Sequence, residues 1–167
     1  MESRVKVLGH PVHPMLVVFP LGLFGASLVF DLVRLAVDNA ELSVVAWWMI
    51  LAGIIGGLLA APFGFIDWLA IPANTRAKSI GLLHGSGNLL IVLIFAANWI
   101  LRSGNPEQPG VLAYALSIIG VGLALVTGWL GGELVDRLGV GVHDDAHLNA
   151  PSSLAAGTDG RSSLKAR

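Results

Sequence analysis

Residues 45–70 read VAWWMILAGIIGGLLAAPFGFIDWLA, a run in which Asp67 is the one charged side chain. A helix rises 1.5 Å per residue, so about 20 apolar residues cross the hydrocarbon core of a bilayer. This run is long enough, and three others match it in kind, at 14–36, 80–101 and 111–135. The chain therefore reads as all-α, an integral membrane four-helix bundle. Composition agrees: 54% of residues are hydrophobic, 13% are charged, and mean hydropathy is +0.75. A soluble domain carries about 25% charged residues. The expected organisation of the 167 residues is one four-span domain over 1–142, followed by a Ser/Ala/Gly-rich tail over 143–167 that is expected to be disordered.

Several classes fall away at once. Net charge is −1 and no basic groove is visible, so nucleic acid is not an expected partner. There is no cysteine, which excludes thiolate-ligated iron–sulfur clusters, covalently attached haem and disulfides. Arg4 and Lys6 precede the first apolar run, as in a signal peptide, but that run is longer than a cleaved core of about 7–15 residues. It is read as a retained span.

The basic residues suggest an orientation. Arg4 and Lys6, then Arg76 and Lys78, then Arg137, Arg161, Lys165 and Arg167 fall on one side of an alternating topology, against Arg34 and Arg102 on the other. The positive-inside rule then places both termini and the middle loop in the cytoplasm. Trp47, Trp48 and Trp99 would mark the outer interface, and Trp68 and Trp129 the inner one.

With that topology one end of the bundle gathers His10, His13, Asp67, His84, Asn88, Glu133 and Arg137. Ionisable residues at membrane depth mark function by default. The spans also look like two tandem helical hairpins. Gly56, Ala60 and Gly64 in span two echo Gly120, Ala124 and Gly128 in span four, and spans one and three each open near a histidine. A parallel repeat of this kind has its axis along the membrane normal, with His13 and His84 at similar depth. The plainer alternative is that small residues four apart recur in any packed membrane helix.

The segment Gly9-His10-Pro11-Val12-His13-Pro14 is the sharpest local signal. Pro11 disfavours helix at His10, and Pro14 suits a first helical turn, so a stiff extended lead-in carrying both imidazoles is expected. Pro20 is expected to kink span one, with Gly22 and Gly25 allowing close approach.

Three functional readings follow, beside a structural one. A b-type haem would take His13 and His84 as axial ligands, with Gly85 and Gly87 giving room, and would pass electrons between a cytoplasmic donor and quinone. A non-haem metal would draw on His10, His13, His84, Asp67 and Glu133. The same residues could relay protons or a small solute, although the outer half offers little beyond Asn98 and Asp31 to continue a path. In the structural reading the polar residues bond one another, and the protein is a membrane scaffold or interaction partner. A homo-oligomer is compatible with each. Asn88 and Asn98 are read as interhelical hydrogen-bond formers, and Asp31 as pairing with Arg34 one turn on. The turn at Gly139–Val142 is expected to fold back over the cytoplasmic face. The run from His143 to His147, HDDAH, has metal-compatible spacing but is read as solvated.

His10-Pro11, His13-Pro14, Gly64 with Asp67, His84, and Gly131-Gly132-Glu133-Leu134-Val135 before Gly139-Val140-Gly141-Val142 carry a resemblance. Over about residues 8–142 the chain resembles bacterial four-span inner-membrane proteins of domain-of-unknown-function family 2231. The resemblance implies the architecture and an inner-membrane location, and it implies no activity.

Overall fold

The computed structural model describes residues 1–155. A two-strand antiparallel ribbon, β1 (Lys6–Val7) and β2 (His10–Pro11), is followed by α1 (Val12–Val37), α2 (Glu41–Ala70), α3 (Arg76–Arg102) and α4 (Val111–Gly132), and α4 closes in a π-helical turn over Glu133–Arg137. All four helices are long and apolar enough to span a membrane. Spans expected from hydropathy are recovered, each start falling within four residues of its helix start.

The lead-in differs from expectation in one respect. Leu8 and Gly9, at φ 51° and 83°, form the tight turn of the ribbon, and His10 lies on its second strand. The positive φ at both central positions is what a two-residue hairpin turn demands. The helix then begins at Val12, so His13 sits inside the first turn rather than on the extended stretch. Pro14 is tolerated there because first-turn N–H groups have no helical partner. At the other end, Gly139 at φ 63° lets Val140 N–H reach back to Leu134 O at 2.8 Å, satisfying carbonyls that the helix leaves open. The strand of chain that follows does fold back: Gly141 N–H donates to Met1 O, and the Met1 ammonium donates to Gly139 O, both at 2.9 Å.

α1 packs on α2 and α3 on α4, with α2–α3 and α1–α4 contacts closing the ring. α1 and α3 stand diagonally, and their side chains meet across the bundle centre. Phe24, Ile50, Ile91, Phe95 and Ala124 form the buried core. Large apolar side chains such as Leu58, Leu59, Leu93, Leu125 and Val126 point outward, as a lipid-facing surface requires.

The centre arranges the two hairpins in parallel, as two repeat units would be. His13 faces His84, Phe24 stacks on Phe95, and Asp31 pairs with Arg102, each pair 71 residues apart. The copies are matched in a register three residues away from the one the glycine pattern suggests. Gly53 lies under the Phe24 ring as Gly120 lies under Phe95, and Gly64 lies against His13 as Gly131 lies against His84. Gly64 thus pairs with Gly131, not Gly128. Gly22, Gly25 and Gly85 face open space instead of a neighbouring helix.

Candidate functional site: two polar layers on one axis

The end of the bundle where α1 begins and α4 ends holds the histidine pair. His13 Nδ1 lies 3.1 Å from Ala60 O on α2, and His84 Nδ1 lies 2.9 Å from Thr127 O on α4. A carbonyl only accepts, so each Nδ1 carries the proton, and in the neutral ring each Nε2 is left as the basic nitrogen. The ring centroids are 6.4 Å apart and the planes are nearly perpendicular, at 88°. A Cβ at Gly64 would come within 2.7 Å of the His13 ring, and one at Gly131 within 3.1 Å of the His84 ring. These two positions leave the space that the imidazoles occupy. Around His84, Asn88 Nδ2 bonds both His84 O (2.8 Å) and His84 Nε2 (3.2 Å), and Thr127 Oγ1 lies 3.2 Å from Asn88 Oδ1.

The remaining residues singled out by sequence have other partners. Both Asp67 carboxylate oxygens accept from Ser3 Oγ at 2.7–2.8 Å, and Oδ1 also accepts from Arg4 N–H at 2.7 Å. Asp67 thereby fixes the N-terminal segment to the end of α2. Glu133 accepts from Arg76 at 2.6 Å, tying the π-helical turn to the start of α3. His10 is exposed and lies 3.4 Å from Ser153 Oγ in the returning tail. Among the described residues, no three or more His, Asp or Glu side chains converge as a metal-binding group. Gly87 is filled by the Thr127 methyl, 2.6 Å from where a Cβ would stand, so it provides no free space beside His84.

Outside the spans, His143 bonds Glu2 (3.0 Å) and Asp145. The Glu2 carboxyl is held below its ordinary value mainly by the Lys6 ammonium that bonds it, and Asp145 mainly by its bond to His143. These contacts involve the first part of the tail; the rest of it, beyond residue 155, lies outside the described residues.

A second polar layer occupies the opposite end, where sequence reading saw little. Arg102 reaches Asp31 with both terminal nitrogens, at 2.7 Å each, while its Nε donates to Asn98 Oδ1 at 2.8 Å. Ser117 Oγ joins Asp31 (3.1 Å), Arg102 (3.1 Å) and Asn98 (2.9 Å). Both charged side chains are 0% exposed. The expected Asp31–Arg34 pair does not form; Arg34 bonds Asp38 instead, at 3.1 Å. Asn98 does bond across helices, as expected. The missed signal was spacing: Asp31 and Arg102 are as far apart in sequence as the two histidines. Between the layers the axis is filled by Phe24, Phe95, Ile50 and Ile91.

Residues 9–144 match a family model described as predicted membrane protein, DUF2231. The chain is also similar to a UPF0060 membrane protein of Herpetosiphon aurantiacus, 27% identical over 74 residues, covering 44% of this chain and 64% of that relative. No solved structure matches. With most of its length under one family model, and four spans closing on the paired histidines, the chain belongs to the DUF2231 family of membrane proteins.

Proposed function

We propose that His13 and His84 form a two-imidazole site for a transition-metal centre at the cytoplasmic face of the inner membrane, serving membrane redox chemistry. The orientation follows the positive-inside rule applied to Arg4, Lys6, Arg76, Lys78 and Arg137. The observation that carries the proposal is the twin tethering. Each ring gives its Nδ1–H to a backbone carbonyl and keeps Nε2 as a lone pair, the orientation that metal-bound histidines adopt. Two metal–nitrogen bonds of about 2 Å, with roughly 1 Å more from each nitrogen to its ring centre, give a centroid separation near 6 Å when the nitrogens face each other across the ion and near 5 Å at a tetrahedral angle. The rings stand 6.4 Å apart. Imidazole suits iron, copper, nickel or zinc. A single ion would have to take the place of the Asn88 amide on His84 Nε2. Haem b would draw on the same two imidazoles, and the Thr127 methyl already fills the space at Gly87.

A second reading has a specific observation behind it. Asn88 already occupies His84 Nε2, as it would in a purely structural hydrogen-bond cluster of a membrane scaffold. A relay across the bilayer is supported less, because apolar rings fill the axis between the two polar layers.

Elemental analysis and absorption spectroscopy of the purified full-length chain separate these. A bound transition metal that disappears in both His13→Ala and His84→Ala supports the site, and a Soret band identifies the centre as haem. Absence of metal and haem after loading with iron, copper or haemin would leave the scaffold reading standing.

A further inference from the structure

The two hairpins are copies, yet their histidines differ chemically. The counterparts of Asn88 and Thr127 in the first hairpin are Val17 and Ala60. Neither can donate or accept through its side chain, so nothing on α1 or α2 repeats the arrangement around His84. One Asn88 Nδ2 hydrogen reaches His84 O at 2.8 Å and the other reaches His84 Nε2 at 3.2 Å. The Thr127 hydroxyl lies 3.2 Å from both Asn88 Oδ1 and Ala124 O, so it is placed to hold the amide oxygen on its side. Among the described residues His13 Nε2 has no such partner.

We infer that Asn88 is a positioning residue that caps one imidazole of the pair, leaving His13 as the first point of attachment for a metal and admitting His84 only when the amide turns away. This rests on the proposed two-imidazole site. It adds an order of engagement, His13 before His84. A neutral hydrogen bond contributes a net factor of roughly fivefold, and that factor is what the cap sets against the second ligand.

The test uses the full-length chain in nanodiscs with ¹⁵N-labelled histidine, at about pH 8, where an ordinary imidazole is neutral. Resonances are assigned by replacing single histidines. In the native chain the Nε2 resonances of His13 and His84 are expected to be separate. In Asn88→Leu the His84 signal moves toward that of His13 while His13 stays in place, and Thr127→Val moves it part of the way. Titration with Cu²⁺ is expected to show about fivefold tighter binding in Asn88→Leu than in the native chain. Coincident Nε2 resonances of His13 and His84 in the native chain overturn the cap whether or not Asn88→Leu folds. So does a His84 signal that neither substitution moves. If the resonances behave as expected but no metal binds, the cap stands and the redox site fails.

Discussion

Phe24 and Phe95 lie face to face on the axis relating the two hairpins, with ring centroids 3.9 Å apart and planes 2° from parallel. Each ring rests on a glycine of the partner helix in its own hairpin. A Cβ at Gly53 would stand 2.5 Å from Phe24 Cε1, and one at Gly120 would stand 2.7 Å from Phe95 Cε2. The ring stack and the two glycines form one packed unit.

Gly53→Ala and Gly120→Ala are therefore expected to destabilise by roughly 1–3 kcal/mol each, the cost of overpacking a tight core. Gly22→Ala and Gly25→Ala meet open space and are expected to be neutral or slightly stabilising. Thermal melting of detergent-solubilised protein distinguishes the two sets.

Breaking the buried ion pair has a larger expected effect. Asp31→Asn or Arg102→Met leaves one side of a desolvated network without its partner, at a cost of about 3–5 kcal/mol. The reciprocal exchange Asp31→Arg with Arg102→Asp is expected to recover part of this, because the two positions are equivalent about the axis. Ser27 and Ile50 stand where the first hairpin would repeat Asn98 and Ser117, and Ser27 Oγ donates to Phe24 O instead, so recovery is incomplete. Melting of the two single variants and the exchange reads this out.

Asp67→Asn should loosen the N-terminal segment, since the amide is uncharged and its NH2, in place of Oδ2, cannot accept from Ser3 Oγ. Hydrogen exchange at Arg4 and Val5 is expected to speed up, with metal content unchanged. A fall in metal content would instead mark Asp67 as a ligand.

The terminal contacts carry a pH dependence with a definite sign. The Glu2 and Asp145 carboxyls are held below their ordinary values of 4.5 and 3.8, so their contribution is present above those values and is lost as pH falls below them. Exchange at Gly141 N–H, which bonds Met1 O, is expected to accelerate below about pH 4 relative to the intrinsic rate.

Arg76–Glu133 serves as a contrast. Arg76 is 60% exposed, so Arg76→Ala should cost under about 1 kcal/mol, less in high salt.

The spans were legible because hydropathy alone marks about 20 apolar residues, and Gly139 announced the end of α4 because only a left-handed position closes that turn. The repeat was legible in kind but not in register. Small residues four apart match themselves at several offsets, whereas the ring that fills each glycine comes from another helix. Asp67 and Glu133 share the histidines' end of the bundle, so sequence grouped them as candidate ligands; their carboxylates turn toward Ser3, Arg4 and Arg76, which no local pattern reveals. Arg102 reads locally as an interfacial cation at a helix end. Its burial comes from Asp31, on a helix 71 residues earlier.

That ion pair also bears on which surfaces can meet. Two identical hairpins associating about the same axis would set aspartate against aspartate, or arginine against arginine, in a dry interior. The acid on one hairpin and the base on the other thus favour pairing between the unlike halves of this chain over pairing of either half with a second copy of itself.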